Sequence, residues 1–311
     1  MNKLHYYPGC TLKEKTTNLD NSTRAAMEIL GYELVEPEGW TCCGAEYPLT
    51  EDKIVGLTAP ARILRQIEIE GGDKVVTTCA FCYNVLKRTN EALLRDPLKQ
   101  KRINAYLHDD IKIEPMTKEK TTDFPEYFST VWVFHLLEFL KNEVGFDQFR
   151  SLIKRDLKGL KVAPYYGCRL LRPAAEVGID DPEDPHIFEE FLKALGCEPI
   201  EFSFRQECCG SYISVSLPEA ASEASYQVLK SAKNEGADVL ALSCPLCYYN
   251  LDRRQDRIRE KFPEFTGFPI LFFTQILAWA LGVEESVLGF DQHFFDPRPV
   301  LFKERKVEAV S

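Results

Sequence analysis

Cys42-Cys43-Gly44, with Cys10 before it and Cys79-Ala80-Phe81-Cys82 after it, is matched later in the chain by Cys208-Cys209-Gly210, with Cys168 before it and Cys244-Pro245-Leu246-Cys247 after it. The intervening stretches are of similar length in the two copies, which is too regular for scattered core cysteines. Of the 11 cysteines only Cys197 falls outside the pattern. One ligand set present twice implies two metal-cluster sites.

Thiolates are soft ligands suited to iron-sulfur clusters or zinc, and a Cys-x-x-Cys pair sets two sulfurs on one metal or cluster with little backbone strain. Adjacent cysteines are less usual. Neighbouring side chains diverge, so a Cys-Cys pair suits neither one tetrahedral zinc nor a simple vicinal disulfide; it suits a larger object with metal on both sides of the backbone. A cubane cluster or a structural zinc uses four sulfurs, so the fifth in each copy bridges, ligates an extra iron or stays unligated. A disulfide framework is the bland alternative, and a chain without a secretory signal argues against it.

The duplication extends beyond cysteine. His5–Cys10 (HYYPGC) pairs with Ala163–Cys168 (APYYGC), each reading as a short strand that delivers a cysteine at its C-terminal end. A helix follows in both: Asn21 or Ser22 is placed to cap one that runs through Leu30 to Gly31, and Asp184 with Pro185 to open one ending at Gly196. Tyr32–Glu36 and Cys197–Glu201 read as strands leading into the Cys-Cys-Gly turns, where Gly44 and Gly210 permit positive φ or a close backbone approach. Helices are expected over about Glu51–Glu70 and Pro218–Glu235, closed by Gly71 and Gly236. Strands Lys74–Thr78 and Asp238–Leu242 then deliver Cys79 and Cys244 at the mouths of helices carrying the parallel pairs Tyr83-Asn84 and Tyr249-Asn250. Val131–Phe134 before an apolar helix to Leu140, and Pro269–Phe273 before a helix to Leu281, close the two copies. This alternation predicts an α/β fold of two duplicated, pseudo-two-fold-related modules, each a small, mainly parallel sheet flanked by helices. The expected domains are residues 1–150 and 151–311, one cluster in each. In such sheets ligands collect beyond the carboxyl ends of the strands, where both halves put their cysteines.

With 311 residues and 45% apolar content the chain can bury two ordinary cores. It has no stretch of eighteen uninterrupted apolar residues and reads from its start into a strand, so neither a membrane span nor a signal peptide is expected, and a cytoplasmic location is. The net charge of -10 disfavours nucleic acid as a partner. A small anionic substrate needs only a local basic pocket.

One cysteine, a Cys-Cys-Gly turn and a Cys-x-x-Cys, present twice, resemble the CCG-domain proteins. Nearly the whole chain is similar to the B-subunit family of the heterodisulfide reductases, through Tyr165–Cys168, Glu207–Gly210, Cys244–Cys247, Phe273–Ile276 and Phe294–Pro299. The resemblance implies a noncubane [4Fe-4S] cluster in each half, fused smaller clusters on five thiolates. Cys10, Cys42, Cys43, Cys79 and Cys82 would hold the first and Cys168, Cys208, Cys209, Cys244 and Cys247 the second, all ten serving as metal, cofactor and catalytic ligands. It further implies that a small disulfide enters between the clusters and is cleaved to two thiols, each sulfur captured by an iron. Electrons would come from an iron-sulfur partner resembling the C subunit of heterodisulfide reductase and ultimately from a flavin partner resembling its A subunit, with membrane contact only through partners.

The remaining residues carry weaker signals. Cys197 aligns with Tyr32 at the start of a strand and reads as packing. The five histidines form no metal spacing; His135, between a strand and an apolar helix, reads as a hydrogen-bonded structural residue with a route to the cavity. Lys13, Lys15, Arg169 and Arg172 follow the first cysteine of each copy, where they can meet an anionic substrate tail or stay solvated. The apolar run Pro269–Val283 reads as a buried strand and helix, with membrane-surface docking as its alternative. Two function classes compete: a disulfide-reducing subunit with paired clusters, and a noncatalytic electron-relay or docking subunit of a CCG-type oxidoreductase acting on succinate, glycolate or lactate, with zinc in one half.

Overall fold

The computed structural model describes residues 1–45, 54–110 and 125–303. Within them, β1 (Asn2–Tyr6), β2 (Tyr32–Val35), β3 (Lys74–Thr77) and β4 (Trp132–His135) form one sheet in the order β2-β1-β3-β4. A second sheet, β6-β5-β7-β8, is built from β5 (Lys161–Pro164), β6 (Glu198–Pro199), β7 (Val239–Leu242) and β8 (Ile270–Phe272). Every pairing is parallel. The chain thus adopts the expected duplicated α/β fold, with the same strand order twice. The inner strands β3 and β7 carry Val75-Val76 and Val239–Leu242, all buried, as a parallel sheet covered on both faces requires.

The halves share one continuous apolar core. The helix Thr17–Ile29 of the first half packs on Phe273–Ala280 of the second, and reciprocally Leu136–Phe139 packs on Ile187–Ala194. Phe273 is a hub of this seam, its ring 5.7 Å from His135, 6.0 Å from Phe188 and 5.6 Å from Phe191. The run Pro269–Val283 is accordingly buried in the seam, as β8 and the following helix. No helix of the described residues is long and apolar enough to cross a membrane.

Two helix starts differ from the sequence reading, for tertiary reasons. The first begins at Thr17, so Asn21 and Ser22 lie inside it rather than capping it. Ser22 Oγ donates back to the Asn18 carbonyl at 2.6 Å and lies 2.7 Å from Thr274 Oγ1, while Asn18 meets His293 at 3.3 Å. Of the two residues that look like caps, Ser22 is a contact to the other half and Asn21 is exposed. In the second copy the helix is Ile187–Ala194, and Asp180 rather than Asp184 caps it, accepting the N–H groups of His186 and Ile187 at 2.7 Å each. Asp184 is drawn away by Arg205 at 2.8 Å. The helix expected from Glu51 is described as Val55–Ile69, and residues 51–53 lie outside the described residues.

His135 ends β4 and is completely buried. Its Nδ1 accepts the Leu137 N–H at 3.2 Å and its Nε2 faces the Thr78 carbonyl at 3.2 Å, which fixes the tautomer with the proton on Nε2. It is a structural histidine that pins the turn ahead of Cys79 to the next helix. Burial lowers its pKa from 6.5 to about 3, against a smaller upward pull from the Thr78 carbonyl. Between those values the unfolded chain binds a proton that the native chain refuses, so this contribution to stability is complete above pH 6.5 and is lost as the pH falls toward 3. In metal-free protein, stability should decline more steeply over that window than in His135→Gln, by up to about 1.4 kcal/mol per pH unit. Chemical denaturation at a series of pH values measures the difference; parallel profiles would contradict it.

Candidate metal centre

Both Cys-x-x-Cys pairs sit just beyond the carboxyl ends of the inner strands. Cys79 caps the helix Ala80–Arg95 and accepts the Cys82 N–H at 3.5 Å, and Cys244 holds the same N-cap position of Pro245–Tyr248 without a side-chain cap bond. The Cys-Cys-Gly turns fold over from the neighbouring loops, and Cys10 and Cys168 arrive from β1 and β5. The result is a chain of sulfur contacts. Cys10 Sγ lies 3.7 Å from Cys42 Sγ, and Cys43 Sγ lies 3.6 Å from Cys82 Sγ. In the second half Cys209 Sγ lies 3.5 Å from Cys247 Sγ, and Cys208 interacts directly with Cys168. Cys79 and Cys244 interact with each other across the two halves. The sulfurs therefore follow the order Cys10, Cys42, Cys43, Cys82, Cys79, Cys244, Cys247, Cys209, Cys208, Cys168, which reads the same from either half. Cys10 and Cys42 are exposed, Cys168 and Cys208 half-buried, and the six in between buried.

Shared protons polarise this chain. Cys43 is pulled well down by hydrogen bonds from Cys42 and Cys82, Cys244 well down by Cys247 and Cys79, and Cys208 down to about 2 by Cys168 and Cys209. Their partners move the other way: Cys79 rises against Cys244, Cys82 against Cys43, and Cys209 to about 12 against Cys208. Metal ligation needs thiolates, so loading must expel these held protons.

The turns are built to the same plan twice. Tyr7 donates its hydroxyl to the Thr41 carbonyl at 2.8 Å, one residue before Cys42, and Tyr165 donates to the Glu207 carbonyl at 2.6 Å, one residue before Cys208. Burial, reinforced by the negative charge of neighbouring sulfurs, pushes both phenols up and keeps them donors. The repeated Tyr-Tyr doublet ahead of each Gly-Cys was the sequence signal for these anchors. Gly9 has φ +76° and a Cβ there would stand 2.8 Å from Cys82 Sγ, so the backbone approaches the sulfurs as only glycine allows.

Arg169 lies over Phe81 of the first half at 5.3 Å and Tyr212 of the second at 4.9 Å, and its Nε is buried with no partner among the described residues. These three border a cavity of about 10 Å³ beside Cys168, Cys209, Cys244 and Cys247. Lys13 is tied to Glu36 and Asp20, and Arg172 to Glu183, so neither reaches the sulfurs. Cys197 is buried in the core away from the ten, and its N–H donates to the Leu192 carbonyl. His5 pairs with Glu70 and His186 with Asp184.

The helices after the Cys-x-x-Cys pairs correspond one residue away from the sequence pairing. With Cys79 set on Cys244, Tyr248 rather than Tyr249 takes the place of Tyr83, and each hydroxyl donates to a distant carbonyl, that of Gln292 at 2.8 Å and that of Val177 at 3.1 Å respectively. Both tyrosines directly follow the second cysteine of their pair, and the helix continues after Tyr248 as a π-turn, Tyr249–Arg253.

Two thiolates sharing one tetrahedral ion with metal–sulfur bonds of about 2.3 Å lie about 3.8 Å apart. The close pairs here match that spacing. Among the described residues, however, no three His, Cys, Asp or Glu side chains converge on a single ion position. The donor set is two strings of five thiols, which fits a thiolate-bound group carrying several metals in each half.

Residues 4–87 and 162–252 each match the CCG cysteine-rich domain, and the chain belongs to that family. It is 31% identical to the 8-methylmenaquinol:fumarate reductase membrane anchor subunit of Wolinella succinogenes, over 94% of this chain and 96% of that one. It is 30% identical to the B subunit of the ferredoxin/F(420)H(2)-dependent CoB-CoM heterodisulfide reductase of Methanosarcina acetivorans, over 99% of each. Both relatives are named as subunits of multisubunit reductases. Among solved structures, a hypothetical protein from Helicobacter pylori shares the fold with a TM-score of 0.74 at 14% identity, covering 94% of this chain and 52% of that one.

The two Cys-Cys-Gly glycines differ in a testable way. Both have positive φ, but a Cβ on Gly44 meets nothing within 4 Å among the described residues, whereas one on Gly210 would stand 2.8 Å from Ala221 Cα. Gly44→Ala should cost about 1 kcal/mol for its backbone conformation, and Gly210→Ala several-fold more because backbone must move. Urea unfolding of the metal-free variants tests this, and equal losses would contradict it. Tyr7→Phe and Tyr165→Phe should each cost about 1–2 kcal/mol by the same assay and loosen metal retention in their own half.

Proposed function

We infer that this chain is the catalytic subunit of a heterodisulfide reductase-like complex, with its two halves, residues 1–150 and 151–311, each holding one noncubane [4Fe-4S] cluster. The observation that carries the reading is that the first-half Cys-x-x-Cys turn, through Ala80 and Phe81, borders the same small cavity as Cys168, Cys209, Cys244 and Cys247 of the second half. A disulfide has two bonded, near-equivalent sulfurs, so a reductant that takes both at once needs two equivalent acceptor sites side by side. When bound, the clusters would supply open iron sites for the two sulfurs and the electrons that cleave the bond. The balance is two electrons and two protons per disulfide, giving two thiols.

The chain's own groups prepare that chemistry. The ten cysteines hold the metal, Tyr7 and Tyr165 fix the turns that carry the adjacent pairs, and Gly9 lets the backbone close over the first string. Phe81, Tyr212 and the Arg169 guanidinium cover the junction between the halves and keep water from it. Electrons enter from an iron-sulfur partner resembling the C subunit of heterodisulfide reductase, fed by a flavin partner resembling its A subunit.

A second reading is favoured by the similarity to the fumarate reductase anchor: an electron-relay or docking subunit whose chemistry lies in a partner, with zinc replacing iron in one half. Metal content separates the two. Anaerobically prepared protein should hold about eight irons, four per half, and no zinc; about four irons with one zinc would overturn the paired-cluster reading. Cys10→Ser and Cys168→Ser should each remove most disulfide turnover supported by a low-potential dye, with the double variant little worse than either. Substantial turnover after loss of either half would make one half a relay. The pure protein, without partners, should not oxidise NADH.

A further inference from the structure

The two sulfur strings are alike in their backbone and unlike in what stands against them. Counted from the first cysteine of each copy, Arg169 occupies the place of Thr11. Counted from the second cysteine of each Cys-x-x-Cys, Asn250 occupies the place of Val85. The second string gains a cation and an amide donor where the first has a hydroxyl and an aliphatic side chain.

Arg169 is held in place from the first half. Asn84 donates to its carbonyl at 2.8 Å and to that of Arg172 at 2.7 Å, which pins the long segment running from Cys168 to the helix at Ile187. The segment after Cys10 reaches its helix at Thr17 and is far shorter. The Arg169 guanidinium lies 4.9 Å from the Tyr212 ring and 5.3 Å from the Phe81 ring. There it borders the small cavity that Cys168, Cys209, Cys244 and Cys247 also line. Its buried Nε has no partner among the described residues. Burial draws its pKa below the usual guanidinium value, and the negative charge of Cys168, Cys208 and Cys244 pulls the other way. The sulfurs are its principal counter-charges.

Asn250 acts at shorter reach. It is 2% exposed, and its Nδ2 donates to the Cys209 carbonyl at 3.0 Å and stands 3.9 Å from Cys209 Sγ. On the first string the side-chain contact is made by Thr11, whose Oγ1 is 3.9 Å from Cys10 Sγ at the exposed end. Reduction adds negative charge to a thiolate-bound metal group, so nearby charge and hydrogen bonds to the sulfurs set its potential. Burial alone would make that added charge less welcome in the second half, where Cys168 and Cys208 are half-buried while Cys10 and Cys42 are exposed. The same surroundings strengthen the pull of a cation, because water screens it less.

We propose that Arg169, assisted by Asn250, raises the reduction potential of the second-half metal group above that of the first, so that an electron delivered to the pair comes to rest in the second half. The proposal rests on the paired-cluster reading and gives the two groups different work. Arg169 acts through the sulfurs, as a positioning residue for charge.

A redox titration of the iron-loaded protein, followed by optical absorption and electron paramagnetic resonance, tests this without turnover. Two couples are expected, and the higher should be the one missing from Cys168→Ser. Arg169→Met and Arg169→Gln should each lower that couple by about tenfold or more in its one-electron equilibrium, about 59 mV, and move the other much less. Arg169→Lys keeps the charge while losing the planar fork, and should retain most of the native value. Asn250→Val should lower the same couple by a smaller step. The order of the couples is read with Arg169 intact, so it decides the question even where a variant fails to load iron. A second-half couple below the first, an equal shift of both couples, or a lysine variant that behaves like the methionine one overturns the proposal. Two couples that ignore Arg169 would sink it and leave the paired-cluster reading; one couple alone, moving with Arg169, would remove the paired reading and uphold the arginine's effect.

Discussion

The approach of the two Cys-x-x-Cys turns across the halves is the constraint on which the rest of the structure depends. Cys79 and Cys244 each follow an inner strand at its carboxyl end and stand at the N-cap position of the next helix, on turns that approach each other. The seam follows from that geometry: Thr17–Ile29 against Phe273–Ala280, Leu136–Phe139 against Ile187–Ala194, with Phe273 at the centre. Ten thiols without metal would carry strong mutual repulsion if ionised, and the protons shared along the string relieve it. Iron would replace those protons, so metal uptake and consolidation of the junction are one event.

Symmetry and its breaking divide the labour. Strand order, the N-cap placement of Cys79 and Cys244 and the tyrosine anchors of the Cys-Cys-Gly turns are duplicated. What surrounds them is not. The Cys168–Ile187 segment closes one junction, the short Cys10–Thr17 segment leaves the other open, and Arg169 stands where the first copy has Thr11.

Much of this was legible in the sequence. The cysteine spacing and the alternation of short apolar runs with capped helices led to both sheets and to the place of all ten sulfurs, because short-range chemistry dictates them. What escaped depends on contacts between distant segments. Ser22 reads as a cap and is instead bonded to Thr274; Asp184 reads as a cap and is claimed by Arg205, leaving the role to Asp180. The tyrosine correspondence, Tyr83 with Tyr248, was legible by counting from Cys82 and Cys247, whereas the π-turn at Tyr249–Arg253 that follows was not announced by any local propensity.

In the proposed reading the two metal groups face each other where the two Cys-x-x-Cys turns approach, and they act as one unit. Electron paramagnetic resonance of the iron-loaded protein, poised so that both groups are paramagnetic, tests it most directly. The expected spectrum is split or broadened by mutual interaction and collapses to a simple signal when either half is emptied by Cys10→Ser or Cys168→Ser. Two independent signals that add to the native spectrum would contradict it.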